Sequence, residues 1–163
     1  MRTVHARRRR LIHALRDTEA RWSFVPTRWT DSSSTKKLTW SKPRPWDPEK
    51  RDDIPQKMGV YAFLIIPTLV GAPPGRYVLY VGKADRQTLR ERYGDYAREP
   101  KRPNGRVKVV KMLTTWPKHL WYSYAITSKT RADPAERALR RALIPPFNHD
   151  IDAEVNAARR AFT

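Results

Sequence analysis

Residues 59–66 are Gly59-Val60-Tyr61-Ala62-Phe63-Leu64-Ile65-Ile66, and Pro67 ends this apolar run. Its β-branched and aromatic side chains are typical of a buried strand. A second run of the same character is Arg76-Tyr77-Val78-Leu79-Tyr80-Val81-Gly82. Between the two lies a segment rich in glycine and proline, residues 71–75, whose composition indicates a turn. The sequence therefore predicts a β-hairpin at the centre of the fold.

Three further elements are predicted between the hairpin and residue 127. Apolar and aromatic side chains fill residues 120–127 and predict a third strand. Residues 88–98 and 106–115 are predicted helices, although the valines in the second lower its helix propensity. Pro103-Asn104-Gly105 separates the two helices.

A last helix is predicted from the stripe of apolar side chains at helical spacing, which consists of Ala135, Ala138, Leu139, Ala142 and Leu143. Asp133 followed by Pro134 predicts the start of this helix, and Pro145-Pro146 predicts its end. The order strand, strand, helix, helix, strand, helix indicates an α+β fold. We expect a small three-stranded antiparallel sheet flanked by helices.

The composition points to a polyanionic partner. The chain of 163 residues has 34 Lys plus Arg against 16 Asp plus Glu, a formal net charge of +18. Aromatic side chains are scattered among the basic ones, which favours nucleic acid over a membrane surface. There is no cysteine, so the sequence excludes disulfides, zinc–thiolate sites and a thiol nucleophile.

Half of the net charge lies in an N-terminal arm, residues 1–45, which has 12 basic and 3 acidic residues. We expect a basic helix at residues 4–22 and a role for the arm in contacting nucleic acid. Trp22, Trp29, Trp40 and Trp46 interrupt the arm, and packing across the domain is favoured over stacking on bases. A compact domain is expected at residues 46–150, with a short tail at residues 151–163.

A cytoplasmic protein without a membrane partner is expected. No run of about 18 apolar residues occurs. The basic N-terminus resembles the start of a signal peptide, but Arg16, Asp17 and Glu19 cut the apolar stretch short.

The acidic residues leave one candidate for a metal ligand. The seven acids between residues 59 and 150 form no tight pair, so a site with two carboxylates is not predicted. Mg²⁺ needs only one carboxylate when the substrate phosphate supplies further oxygens, and Glu136 is the best candidate. The alternative is structural, because Glu136 could complete a capping box with Asp133 and pair with Arg140 one turn later.

Several segments together resemble the GIY-YIG nuclease family. Gly59-Val60-Tyr61 and Tyr80-Val81-Gly82-Lys83-Ala84 resemble its paired signature. Residues 89–96 are similar to the family helix that carries a catalytic arginine and, four residues later, a tyrosine, after a two-residue insertion near residues 86–87. Residues 136–148 resemble the segment from the metal-binding glutamate to a terminal asparagine. The resemblance covers about 90 residues in the family's order.

The resemblance implies a metal-dependent endonuclease that hydrolyses DNA phosphodiester bonds with Mg²⁺ or Mn²⁺ on Glu136. One tyrosine would orient or deprotonate the attacking water, Arg92 would stabilise the charge on phosphorus, and Asn148 would brace the site. The predicted catalytic residues are Tyr61, Tyr80, Lys83, Arg92, Tyr96, Glu136 and Asn148.

Seven basic side chains are predicted to contact backbone phosphates, with a solvated surface as the alternative: Arg90, Arg98, Lys101, Arg102, Arg106, Lys108 and Lys111. A restriction enzyme, a repair nuclease and a DNA-degrading toxin all fit, and the restriction type would usually form a homodimer. The competing hypothesis is a non-catalytic nucleic-acid-binding module on the same scaffold.

Overall fold

The computed structural model of the protein describes residues 20, 22, 28–29, 35, 37–67, 75–148, 153 and 157. Residues 4–19 of the expected N-terminal helix, residues 71–74 of the predicted turn and most of the expected tail lie outside these ranges.

The described residues form a four-stranded antiparallel sheet. Its strands are β1 (Arg44–Pro45), β2 (Gly59–Ile65), β3 (Tyr77–Ala84) and β4 (Leu120–Ile126), in the spatial order β1-β4-β2-β3. The α+β class, the antiparallel pairing and the three longer strands agree with the sequence prediction. β3 lies at one edge of the sheet.

Three helices accompany the sheet: α1 (Leu89–Arg98), α2 (Val107–Thr115) and α3 (Lys129–Leu143). α1 begins with a capping box, in which Thr88 Oγ1 accepts a hydrogen bond from the Glu91 amide and Glu91 accepts one from the Thr88 amide. Short 3₁₀ turns occupy Arg51–Asp53 and Glu99–Lys101. None of the helices in the described ranges is long and apolar enough to cross a bilayer.

The prediction of three strands was wrong by one, because β1 was not foreseen. The prolines at residues 43 and 45 argue against a central strand. An edge strand tolerates proline because every second amide points away from the neighbouring strand. The adjacent amides do pair with β4, since Trp46 N donates to Leu120 O at 2.8 Å and Ser41 N donates to Tyr124 O at 2.8 Å.

The predicted start of the last helix was also wrong. α3 begins at Lys129 with Ser128 as its N-cap residue, so Asp133 and Pro134 lie inside the helix. The Ala132 amide already donates to Ser128 O at 3.0 Å, which closes a helical turn before the proline is reached. Pro134 lies in the second turn, where one missing amide is tolerated because the preceding turn is open to solvent. The helix ends at Ile144, whose φ of 47° is left-handed.

The two faces of the sheet pack against different helices. One face carries Tyr61, Phe63, Tyr80 and Tyr122, which pack with the buried side chains of α1 and α2. The opposite face is covered by α3, and its apolar side chains are Val60, Ala62, Leu64, Val81 and Ala125. Strand alternation explains this division, because neighbouring residues of β2 point to opposite faces.

Two glycines allow close approach inside the sheet. A Cβ atom at Gly59 would lie 2.2 Å from Ala125 O on β4, and one at Gly82 would lie 2.4 Å from Tyr61 Oη. Tyr61 and Gly82 are directly paired across β2 and β3, so the phenol lies over the glycine. Steric overlap therefore explains why glycine occupies both positions of the paired signature.

Two of the four tryptophans pack onto the core, as the sequence analysis favoured. Trp46 contacts Phe63 and Tyr93, with ring centroids 5.2 and 4.4 Å away. Trp22 donates its indole N–H to Val78 O at 3.1 Å. Trp29 and Trp40 keep 49% and 36% of their surface exposed.

Replacing Gly82 by alanine is expected to destabilise the protein by about 1–3 kcal/mol, because the new methyl group would overlap the Tyr61 phenol. Chemical denaturation of the purified variant measures the loss. Gly75→Ala is the matched control, since its Cβ would meet only the exposed Tyr77 ring, at 3.2 Å. Equal stability of the Gly82→Ala variant and the parent would contradict the assigned steric role.

Candidate active site

Three of the predicted catalytic residues form one hydrogen-bonded cluster. The hydroxyl oxygens of Tyr61 and Tyr96 lie 2.8 Å apart, and Arg92 donates from Nε to Tyr61 Oη at 3.1 Å. Both tyrosines have no exposed surface. Arg92 and Tyr96 lie one turn apart on α1, so they share the helix face that packs on the sheet. The cluster thus ties α1 to β2.

Tyr80 lies beside this cluster. Its ring centroid is 6.5 Å from that of Tyr61 and 6.0 Å from that of Tyr96. The register pairs Tyr80 with Phe63, which places the Tyr80 and Tyr61 phenols on the same face. Within the described part of the chain, the Tyr80 hydroxyl makes no hydrogen bond. Its hydroxyl is thus not committed to the protein, unlike those of Tyr61 and Tyr96, whereas the Tyr122 hydroxyl, which also has no partner there, is buried.

Burial determines the ionisation of the clustered phenols. Burial, and next the neighbouring Tyr80, raise the pKa of Tyr61 to about 12 although Arg92 acts in the opposite direction. Burial also raises the pKa of Tyr96 well above its ordinary value. Both phenols are therefore neutral near pH 7, and neither is suited to remove a proton from water.

Lys83 lies on the other face of β3, where it meets α3. Its ammonium group forms an ion pair with Asp133 and a second one with Asp85 at 3.1 Å. The hydrogen bond to Asp133 raises the pKa of Lys83, and the same bond lowers the pKa of Asp133. Arg137 also pairs with Asp133. Lys83 is thus a cation that links the edge strand to α3.

Glu136 is buried in the middle of α3, with 8% of its surface exposed. Oε1 accepts a hydrogen bond from Arg140 Nη1 at 3.2 Å. Because the helix begins at Lys129, the capping-box alternative with Asp133 does not apply, whereas the predicted pairing with Arg140 is present. Burial raises the pKa of Glu136, and the nearby Arg140 charge opposes that shift. The ionised carboxylate is therefore costly in this position.

The chemistry of Glu136 suits a hard divalent cation. Carboxylate oxygen is a preferred donor for Mg²⁺, and Oε2 accepts no hydrogen bond from any described residue. No group of three or more His, Asp or Glu side chains that could hold a metal ion occurs among the described residues. A cation at Glu136 would thus have to complete its coordination with water and substrate oxygens.

Asn148 hydrogen-bonds to the edge of β3 that has no neighbouring strand in the described sheet. Its Oδ1 accepts from Val81 N at 2.9 Å, and its Nδ2 donates to Val81 O at 2.8 Å. The preceding residue adds a third hydrogen bond to this edge, since Phe147 N donates to Leu79 O at 3.0 Å. Asn148 is buried, with 4% of its surface exposed. Its side-chain amide thus replaces a strand neighbour for the edge strand.

The seven predicted phosphate-contacting residues differ in how far they are engaged within the protein. Arg90 donates to Ile54 O and Asp52 O, at 2.7 and 2.8 Å, which holds α1 against the turn before β2. Arg98 and Arg102 share the Asp95 carboxylate and keep 57% and 50% of their side chains exposed. Lys101 and Lys111 are exposed and Lys108 is half-buried. Arg106 is bound by Glu99.

Sequence reasoning missed Glu99, which is the most deeply buried acidic residue of the described ranges, with 3% exposed. Arg106 binds it through Nε at 2.9 Å. The available signal was an acid seven residues before an arginine, across the Pro103-Asn104-Gly105 turn. An exposed ion pair would give the same pattern, so the sequence alone does not predict the burial.

The structure divides the predicted catalytic residues into two groups. Tyr61, Tyr80, Arg92 and Tyr96 lie together on the face covered by α1 and α2. Lys83 and Glu136 lie on the α3 side, and Asn148 lies at the strand edge between the groups. No hydrogen bond or ion pair connects the two groups in the described ranges. β3, the edge strand, is the element common to both.

Comparisons of this chain with protein-family models, with curated proteins and with solved structures gave no match.

Replacing Asn148 by alanine is expected to lower stability by at least about 2 kcal/mol, because two buried groups of Val81 lose their partners at about 1–3 kcal/mol each. Thermal unfolding measures the change. Asn104→Ala, in an exposed turn, is the control and should stay within about 0.5 kcal/mol of the parent. An unchanged unfolding temperature in Asn148→Ala would exclude the bracing role.

Proposed function

We propose that this protein is a metal-dependent endonuclease of the GIY-YIG type that hydrolyses phosphodiester bonds in DNA. The observation that carries the proposal is the contact of Tyr61 with Arg92 and Tyr96. Tyr61 belongs to the paired signature and the other two residues to the helix segment of the resemblance, yet they meet on one face of the hairpin. The paired signature forms adjacent strands in register, with Tyr61 opposite Gly82.

The arginine of the cluster has the chemistry needed for phosphoryl transfer. The side chain of Arg92 keeps 29% of its surface exposed, so its guanidinium can meet a phosphate from solvent. Its planar donors suit phosphate oxygens. The phenols around it are neutral, and the Asp95 carboxylate, 3.6 Å from Nη1, is shared with Arg98 and Arg102. Arg92 would therefore stabilise the extra negative charge that develops on phosphorus.

Tyr80 is the preferred residue to handle the attacking water. In the proposed step, the water oxygen forms a bond to phosphorus and the bond from phosphorus to the 3′ oxygen breaks. The Tyr80 hydroxyl would orient the attacking water, whose proton passes to solvent, and the leaving oxygen takes a proton from solvent. Tyr61 would instead position Arg92, because burial keeps its hydroxyl neutral.

Glu136 would hold Mg²⁺ or Mn²⁺ through its free carboxylate oxygen. The bound cation would supply charge stabilisation at the phosphate and at the leaving oxygen. Lys83, at the same edge of β3, would help to attract the phosphate. Because the two groups of residues lie on opposite faces of β3, the scissile phosphate would bind at the end of that edge strand, near Lys83.

DNA is the proposed partner because the net charge of +18 greatly exceeds what a neutral ligand requires. The exposed basic residues between α1 and α2 would contact backbone phosphates without reading sequence. A homodimer would provide two sites for the two strands, and a cytoplasmic location would give access to DNA and Mg²⁺.

The first test is cleavage of supercoiled plasmid with Mg²⁺, with EDTA added in parallel. Glu136→Gln is expected to reduce the cleavage rate by about 1,000-fold or more, because the metal-binding carboxylate is lost. Its stability should not fall much, since burial disfavours the charged carboxylate. The parent should also lose activity as pH falls through a pKa above the ordinary glutamate value, because only the ionised carboxylate binds metal.

Glu49→Gln is the matched control, since it removes an exposed carboxylate outside the site, and its cleavage rate should equal that of the parent. Intact plasmid with the parent protein, across several DNAs and metals, would contradict the nuclease and favour the non-catalytic DNA-binding module. Cleavage by Glu136→Gln at the parental rate would refute the metal assignment alone.

A second test separates the two tyrosines. Tyr80→Phe is expected to lower the single-turnover rate by about 100-fold or more, because the hydroxyl that orients the attacking water is lost. Its unfolding temperature should stay near the parental one, because the lost hydroxyl has no hydrogen bond among the described residues. Tyr61→Phe should lose stability by about 1–3 kcal/mol, because Arg92 and Tyr96 lose a buried partner.

The cleavage rate decides between the two assignments. Burial raises the pKa of Tyr61 to about 12, so removal of its hydroxyl should leave the shape of the pH–rate profile unchanged. A parental rate in Tyr80→Phe together with a flattened pH–rate profile in a folded Tyr61→Phe variant would reverse the roles.

A further inference from the structure

Arg106 shares an aromatic ring with the arginine of the candidate active site. Its Cζ atom lies 5.2 Å from the centroid of the Tyr96 ring, and that of Arg92 lies 5.5 Å from the same centroid. Arg106 is the N-cap residue of α2, whereas Arg92 belongs to α1. Two guanidinium groups from different elements therefore converge on one buried tyrosine.

Glu99 fixes the position of the Arg106 guanidinium. Arg106 donates from Nε to Oε1 at 2.9 Å and from Nη2 to Oε2 at 3.3 Å, and its backbone amide donates to Oε1 at 2.8 Å. Burial opposes the charge of Glu99, but the hydrogen bonds from Arg106 outweigh it and hold the pKa of Glu99 below its usual range. A buried carboxylate thus accepts hydrogen bonds from both the side chain and the backbone of Arg106.

The remaining donors of Arg106 are available to an external anion. A guanidinium has five N–H groups, and Glu99 occupies one on Nε and one on Nη2. The others meet no acceptor within the described ranges, and 34% of the side chain is exposed. A structural ion pair explains the two occupied donors. It does not explain why the guanidinium also lies over the Tyr96 ring.

We propose that Arg106 is a second phosphate-binding arginine of the candidate active site, and that Glu99 is its positioning residue. The proposal rests on the proposed function, since the ligand is the DNA phosphodiester. Arg92 and Arg106 would bind oxygens of the same phosphate and share the charge that develops during hydrolysis. Glu99 would act only through Arg106. This role differs from a sequence-independent contact on the outer surface, because it acts on the chemical step.

The test measures single-turnover cleavage of supercoiled plasmid with Mg²⁺ and protein in excess. Arg106→Ala is expected to lower the rate by about 100- to 1,000-fold. Arg106→Lys keeps a positive charge beside Glu99, so this variant controls for misfolding. It should still lower the rate at least about tenfold, because the point charge of a lysine cannot bind the Glu99 carboxylate and the phosphate together as a guanidinium does. Arg131→Ala, at an exposed arginine of α3, is the control and should cut like the parent.

Glu99 is tested by a double-mutant cycle. Glu99→Gln alone should lower the rate about tenfold. In the Arg106→Ala background it should cause no further loss of rate, whereas its effect on unfolding temperature should persist. An equal loss of rate in both backgrounds would show that Glu99 does not act through Arg106.

The outcomes separate this proposal from the nuclease itself. If the parent cuts and Glu136→Gln does not, while both Arg106 variants cut like the parent, the role of Arg106 is refuted and the nuclease stands. If the parent cuts no DNA, binding of a short duplex decides, measured by fluorescence anisotropy at several salt concentrations. Arg106→Ala should then reduce the slope of log affinity against log salt by about one. An unchanged slope would overturn the phosphate contact.

Discussion

The packing of the Tyr61 phenol over Gly82 is the contact on which the candidate site depends. With no side chain at residue 82, the ring can lie flat across the hairpin and bring its hydroxyl to α1. A buried hydroxyl needs partners, and Tyr96 and Arg92 provide them. The position of α1, and with it the direction of the arginine, therefore follows from one glycine on the neighbouring strand.

This arrangement concentrates positive charge next to neutral oxygens. Burial keeps the Tyr61 and Tyr96 phenols protonated, so they accept and donate hydrogen bonds without neutralising the guanidinium groups beside them. The nearby carboxylates, Asp95 and Glu99, are each shared by more than one arginine. An anion that entered the site would meet an excess of unsatisfied donors in a region partly shielded from water, where charge interactions are strong.

The sequence predicts the local elements better than it predicts how they pair in the fold. The strands at residues 59–66 and 120–127 and the helix at residues 88–98 are found with shifts of at most one residue, because composition and capping are local signals. The strand Arg44–Pro45 was missed because its pairing with β4 depends on residues about 80 positions away. The start of α3 was misplaced because Pro134 suits a first turn, and the preceding residues carry no apolar stripe.

The candidate site shows the same limit. Strand alternation allows Tyr61 and Tyr80 to share a face if the register is suitable, and the observed register of the hairpin places them so. Strand alternation places Lys83, three residues after Tyr80, on the other face of β3, but the sequence could not predict that α3 covers that face. The sequence also could not reveal that Glu99 is buried, because its burial depends on how the turn before α2 folds back.

Glu136 is the residue whose energetics bear most directly on function. A glutamate chosen only for stability in the middle of α3 would be exposed, because burial raises the pKa and penalises the charged form. Arg140 offsets part of that penalty, yet it uses only one carboxylate oxygen. A divalent cation on the other oxygen would remove the remaining penalty, whereas a neutral glutamine would avoid it altogether. The cost of burying an ionisable group in α3 is therefore one that the cation of the proposed function would offset.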